Sequence, residues 1–315
     1  DYFKKGLPYL DGFRGIFTLQ AAAMLNAVQG GQVLGEFRGI SPAERDRLVS
    51  AMGDKIRIEE SSWTLNLLVV FNTEKKPFDD VRVRKALLMA IDRWGGSQGL
   101  SRISTLRSVG GVIRPGSPFA TPEAELVKLP GFSKDIKKSR EEAKKLLAEA
   151  GVPNLKLQLW NRNLAMPYTP AGIFLVDQWR QIGVEVEHVQ SDTGKYLATM
   201  SSGQFDVAID FSNLFMDDSS LGLAKYLSVT RAPENRSRSK DPELDKLYDD
   251  HMRERDPAKR KAMIQAFEKH LFEQAYQQPL LWWHRIVPSH KAVMGWPMSP
   301  SHNLGAQLEG VWLNA

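Results

Sequence analysis

LKLQLW (155–160), TPAGIFLVDQWRQIG (169–183) and VEVEHV (184–189) follow one another in a strand–helix–strand order, and their reading decides the fold. The outer two alternate apolar and polar residues with period two, which fits half-buried strands. The middle segment has Pro170 near its start and Gly183 just past its end, the arrangement expected of a helix. FDVAIDF (205–211) supplies a third strand after the short helical stretch KYLATMSSG (195–203). Strands alternating with helices imply an α/β fold with a mostly parallel or mixed sheet covered by helices. Ligands of such sheets sit outside the carboxyl ends of the strands. That directs attention to Trp160, Asn161 and Arg162 after the first strand and to Phe211, Ser212 and Asn213 after the third.

Working outward, LNLLVVF (65–71) is almost continuously apolar, which suggests a strand covered on both faces. The stretch FNTEKKPFDDVRVRKALLMAIDR (71–93) turns at Pro77 and enters a helix capped by Asp79 or Asp80. Val83, Leu87, Ala90 and Ile91 share one face of that helix. Arg82, Arg84 and Arg93 fall on its flank, placed to fix packing or meet solvent rather than to touch a ligand. Nearer the start, Thr18 is a candidate cap for a helix over 19–29 that Gly30 and Gly31 end, and VLGEF (33–37) a candidate strand. Residues 95–135 are rich in Gly, Ser and Pro and predict a long irregular excursion. Ser139 and Glu142 predict a capping box, with Ala143, Leu146, Leu147 and Ala150 as the apolar stripe and Gly151 and Pro153 as the stop. Asp241-Pro242 and Asp256-Pro257 announce two more helices, and PLLWWHRIVPSH (279–290) predicts strand and loop.

The 315 residues leave room for two domains. Lys and Arg number 42 against 37 Asp and Glu, a net charge of +5. The most charged segment, 231–261, mixes both signs, so it fits a solvated surface better than a nucleic-acid footprint. The chain has no Cys, which removes disulfides, thiolate nucleophiles and Cys-based metal sites. No apolar run approaches the ~18 residues of a membrane span. DYFKKGLPYLDG opens abruptly in turn-like sequence without a signal peptide, so upstream residues are expected.

No positive sign of catalysis emerges. His188, His251, His270, His284, His290 and His302 show no metal-ligand spacing, and no nucleophile elbow, P-loop or dinucleotide fingerprint is present. Asp217 and Asp218 are adjacent, so regular structure would point them apart, which argues against an acid–base pair. The eight tryptophans are Trp63, Trp94, Trp160, Trp179, Trp282, Trp283, Trp296 and Trp312. Trp179 lies on the apolar stripe of its helix and is expected in the core, whereas Trp160, at a strand end, is placed to line a pocket.

Taken in order, W-x(7)-FN-x(4)-PFDDVRVRKALLMAIDR, SREEAKKLLAEAG, LQLW, QWRQIGVEVE, GQFDVAI and DPELDKLYDDHMRERDPAKRKAM resemble the solute-binding proteins of peptide/nickel-type ABC importers, the family 5 extracellular solute-binding proteins. The resemblance runs collinearly from about Asp1 to Leu313. It implies a type II periplasmic-binding-protein fold, a two-lobed clamshell that captures solute between its lobes, of which this chain looks like the C-terminal part. On that reading residues 1–72 are the end of the first lobe and the crossover, 73–283 the second lobe, and 284–315 the return to the first lobe.

The resemblance also bears on specificity. Dipeptide-binding members carry an Arg before the Pro-Tyr pair that here is Pro167-Tyr168, and Met166 stands in its place. They also carry an Asp three residues after a Trp; here the Trp position is Phe211 and the Asp position Leu214, with Asp217 at a second Asp. Both clamps are thus apolar, and a buried carboxylate or amine without a partner is costly. The expectation is an extracytoplasmic, periplasmic solute-binding component of an ABC importer, not an enzyme, that takes a small solute other than a free dipeptide and passes it to the permease. The expected wall is Trp160, Asn161, Arg162, Met166, Phe211, Asn213 and Leu214, with Trp160 and Phe211 covering the solute and Asn161 and Asn213 bonding it. Arg162 would pair with an anionic group or sit in solvent. No cofactor, metal or nucleic acid is expected, and the chain is expected to be a monomer. The competing classes are a hydrolytic enzyme on the same scaffold and a basic surface for an anionic polymer.

Overall fold

The computed structural model describes residues 2–18, 20–213, 218–302 and 307–314. Two short helices, α1 (Ala21–Gln29) and α2 (Pro42–Met52), precede a 16-residue strand, β1 (Ile56–Phe71). Then come α3 (Val81–Met89), α4 (Arg93–Ile103), β2 (Leu106–Ser108), α5 (Glu123–Leu126) and α6 (Ile136–Glu149). The alternating core of the chain follows: β3 (Lys156–Arg162), α7 (Tyr168–Arg180), β4 (Glu185–Ser191), α8 (Thr193–Ser202) and β5 (Val207–Asn213). It closes with α9 (Ser219–Ala224), α10 (Pro242–Arg253), α11 (Pro257–Gln274), the long β6 (Gln277–His290) and a small pair, β7 (Val293–Met294) and β8 (Trp312–Leu313).

Six strands form one mixed sheet in the order β2-β6-β1-β5-β3-β4. β3 runs parallel to β4 and β5, as the strand–helix–strand reading requires, while β1 is antiparallel to both β5 and β6. The continuous apolar run of β1 is explained by cover on both faces. Leu65, Leu67, Val69 and Phe71 join Val83, Leu87, Ala143, Leu147, Leu175 and Trp179 on one side. Leu68 and Val70 join Tyr196, Phe205, Tyr226, Phe267 and Leu271 on the other. Trp179 is fully buried and its Nε1 donates to the Leu87 carbonyl at 2.8 Å, so its truncation to Ala would cost ~3–5 kcal/mol. A third, smaller cluster joins α1 and α2 to the outer halves of β1 and β6 through Leu25, Val28, Ile40, Leu48, Ile56 and Ile286.

Several local expectations change. Asp80 caps α3 through the Arg82 amide, but the cap of α6 is Asp135; Ser139 lies one turn inside that helix, largely buried. Gln20, not Thr18, stands at the start of α1, and residues 33–37 contribute only an isolated bridge between Gly35 and Ser289. The excursion over 95–135 is partly regular: Asp92 caps α4, and β2 pairs with β6. Ser41 and Glu44 form a reciprocal capping box on α2. Asp241 and Asp256 cap α10 and α11 with Pro at the first helical position, and β6 is a single 14-residue strand.

The flank arginines divide. Arg82 stays exposed and pairs with Asp80. Arg84 and Arg93 are buried, and backbone carbonyls solvate them: Phe78, Asp79 and Gln274 for Arg84; Leu88, Gly131 and Pro279 for Arg93. Burial pushes the Arg93 guanidinium down to about 9.

Candidate functional site

Burial alternates along β3, so Leu157, Leu159 and Asn161 face inward while Trp160 and Arg162 stay partly exposed. Asn161 is therefore not a solute-facing amide. Its Nδ2 donates to the Tyr168 carbonyl at 2.7 Å and faces His188 Nε2 at 3.1 Å, and its Oδ1 accepts the Arg162 amide at 2.9 Å. The side chain that the sequence suggested would bond solute instead fixes the end of β3 against the start of α7. Trp160 packs on the Tyr196 side of the sheet, with Nε1 3.3 Å from Gln158 Oε1.

Arg162 is the centre of the site. Its guanidinium carbon lies 4.6 Å from the Phe211 ring centroid, 5.1 Å from Tyr168 and 5.2 Å from Tyr196. These rings come from β5, α7 and α8, so three elements converge on the last residue of β3. Such cation–π contacts are worth ~0.5–2 kcal/mol each, more when water is excluded. Burial pushes the Tyr168 phenol up to about 12 and the Tyr196 phenol well above its ordinary value, so both remain neutral. Tyr196 Oη donates to the Ile209 carbonyl at 2.7 Å, which fixes its ring.

A second cation borders the same ring. Lys225 Nζ lies 5.6 Å from the Phe211 centroid, but it is neutralised by Asp210 at 2.6 Å and also donates to the Phe211 carbonyl. Asn213 ends β5 opposite Leu65, and its Oδ1 is buried without a hydrogen bond among the described residues. Met166 is half-buried just before α7. Leu214 and Asp217 lie outside the described residues. The structure thus gathers Trp160, Arg162, Phe211 and Asn213 at the carboxyl edge of β3 and β5, with Asn161 behind them. Tyr168, Tyr196, Asp210 and Lys225 were not singled out from the sequence. Only Asp210, a charge inside the apolar strand FDVAIDF, carried a readable signal.

Tyr168 leads from this edge into an aromatic line. It meets Trp283 edge-on at 6.2 Å, and Trp283 meets Trp63 edge-on at 5.3 Å. Trp63 Nε1 donates to His302 Nδ1 at 3.1 Å. Burial, then the charges of Arg38 and Arg285, push the His302 imidazole down to about 4, which keeps this acceptor neutral. A separate cavity of about 320 Å³ lies under the loop after β2, between Trp94, Ile113, Thr121 and Leu126. The buried Glu268 anchors that loop by accepting the Val112 amide at 2.6 Å. Among the described residues, no group of three or more His, Cys, Asp or Glu is placed to hold a metal ion.

The family model for bacterial extracellular solute-binding proteins, family 5 (middle region) matches residues 1–233. The periplasmic oligopeptide-binding protein OppA of Escherichia coli is 30% identical over 215 residues, 64% of this chain and 36% of OppA. A probable di/tripeptide-binding protein of Pseudomonas aeruginosa is 24% identical over 312 residues, 95% of this chain and 55% of that protein. Among solved structures, AgaA of A. tumefaciens in complex with agropinic acid aligns with a TM-score of 0.82 at 22% identity, covering 100% of this chain and 63% of that one. DppA of Helicobacter pylori in complex with the peptide STSA aligns with a TM-score of 0.77 at 20% identity, covering 93% and 55%. The chain spans 36% and 55% of the two curated relatives named here. Its fold is the α/β fold of the two-lobed periplasmic binding proteins, and with the family match extending over residues 1–233 the chain belongs to the family 5 bacterial extracellular solute-binding proteins.

Proposed function

We propose that this chain is part of the solute-capturing component of an ABC importer, working outside the cytoplasmic membrane as a monomer without catalysis. It closes on a small solute between two lobes and hands it to the permease. Residues 73–283 form the second lobe, with 1–72 and 284–315 belonging to the first lobe and crossover. The observation that carries this reading is the wall at the carboxyl edge of β3 and β5, where Trp160, Arg162 and Phe211 remain partly exposed beside buried aromatic rings. Large flat apolar area with a few oriented polar groups suits a small-molecule site. Membership of family 5 and the peptide-binding relatives support the transport role.

The solute is other than a free dipeptide. Met166 stands where dipeptide-binding members hold an Arg, and a thioether cannot replace a guanidinium against a buried carboxylate. The complex of AgaA with agropinic acid supports solutes beyond peptides on this fold. In the intact protein, Trp160→Ala and Phe211→Ala should each weaken solute binding by about tenfold or more, as expected for loss of a stacking aromatic. Unchanged calorimetric affinity in both variants would remove this edge from the site.

A further inference from the structure

We infer that Arg162 is the anchor for a carboxylate of the solute, and that the solute is an organic acid. The inference rests on the solute-capturing role proposed above and adds the chemical class. Its ground is a contrast within the chain. The buried guanidiniums of Arg84, Arg93 and Arg285 all donate to backbone carbonyls, so each is saturated inside the fold. Arg162 is held by three rings, yet its side chain donates to none of the described residues and has no carboxylate at ion-pair distance among them. Its Nε is buried and unbonded. A guanidinium stripped of water on its faces but left with unfilled donors is oriented and underused, and its planar fork matches two carboxylate oxygens.

Charge sets the sign. Lys225 and Asp210 cancel beside the same Phe211 ring, whereas Arg162 has no carboxylate partner among the described residues and the charge of Arg38 also reaches the Tyr168 phenol. A net positive edge suits an anion, and the planar fork suits the two oxygens of a carboxylate.

The test uses the intact protein and matched probe pairs: galacturonate with galactose, benzoate with benzamide, and N-acetyltyrosine with its amide. At least one acid should raise the melting temperature while its neutral partner does not. Calorimetry should find that acid bound about tenfold more weakly by Arg162→Lys, which keeps the charge but loses the fork, and bound at background level by Arg162→Met. Without probe, Arg162→Met should melt below wild type only by what its ring contacts supply, and clearly less far below it than Arg84→Met, which also loses its carbonyl hydrogen bonds. Equal binding of acid and neutral partner, or tighter binding of the corresponding phosphate monoester, overturns the carboxylate while leaving the capture role intact. An unliganded Arg162→Met protein that melts as low as Arg84→Met overturns it as well, because Arg162 would then serve the fold.

Discussion

Asn161 and Tyr168 are joined by a 2.7 Å hydrogen bond from the side-chain amide of one to the backbone carbonyl of the other, across the turn from β3 into α7. Because Asn161 is fully buried and its Oδ1 also holds the Arg162 amide, replacing it strands several polar groups at once. Asn161→Leu should cost about 2–3 kcal/mol, the penalty for buried groups left unpaired. Chemical denaturation should register that loss, and calorimetry should show weaker solute binding in protein that remains folded. Normal stability would show that the turn is held elsewhere.

Arg93 should be intolerant even of Lys. Its fork reaches the carbonyls of Leu88, Gly131 and Pro279 and the side chain of Gln278, a spread that a single ammonium cannot match. Arg93→Lys should destabilise by about 3 kcal/mol, measured as a lower urea midpoint with an unchanged slope. A wild-type midpoint would mean that this carbonyl cage contributes little.

His302 predicts acid sensitivity. Its folded value is about 4 against 6.5 for a free imidazole, so on acidification the unfolded chain takes up this proton first. Stability present above pH 6.5 is therefore lost progressively as the pH falls towards 4. Burial lowers His188, His251 and His284 as well, with the same sign. A series of melting curves over this window should fall less steeply for His302→Asn than for wild type. Parallel curves would remove His302 from the effect.

Glu268 predicts the opposite trend. Burial raises its carboxyl above 4.5, so the unfolded chain ionises first as the pH climbs and this residue disfavours folding from that point upward. Glu268→Gln keeps an acceptor for the Val112 amide. The variant should melt several degrees above wild type at neutral pH and lose that advantage below about pH 4.5. A variant that melts lower at neutral pH would show that an ionised carboxylate is needed to hold the loop.

The sheet was largely legible because its strands carry their environment in their pattern. β3 and β4 alternate as half-buried strands, and the second half of β1, residues 65–71, is almost continuously apolar because both its faces are covered there. α4 was not legible. Its sequence, RWGGSQGLSRI, reads as loop, yet Gly96 is there because a Cβ would come within 2.5 Å of the Phe174 ring. Tight packing selected glycine at the expense of helix propensity, and only the folded neighbour reveals the reason.

The site was half legible for a related cause. Strand ends located Trp160, Arg162 and Phe211, since the chain's own order places them on one edge. The other rings and charges that give Arg162 its character, Tyr168, Tyr196, Asp210 and Lys225, come from α7, α8, β5 and the end of α9, joined by folding rather than by spacing. The alternation of β3, continued one residue beyond Trp160, assigns Asn161 inward.

The pairing of β1 with β6 has a further consequence. It runs from Ile56 to Ser62, lapses, and resumes at Asn66; in the gap the Thr64 amide turns to the Pro300 carbonyl instead. A ribbon bends most easily where no ladder bond must break. The small cluster around α1 and α2 lies on one side of that gap, while the first large cluster reaches into it through Trp63 and Leu65. Any bend of β1 against β6 at this level must carry Trp63 with it, and with Trp63 its contacts to Trp283 and His302.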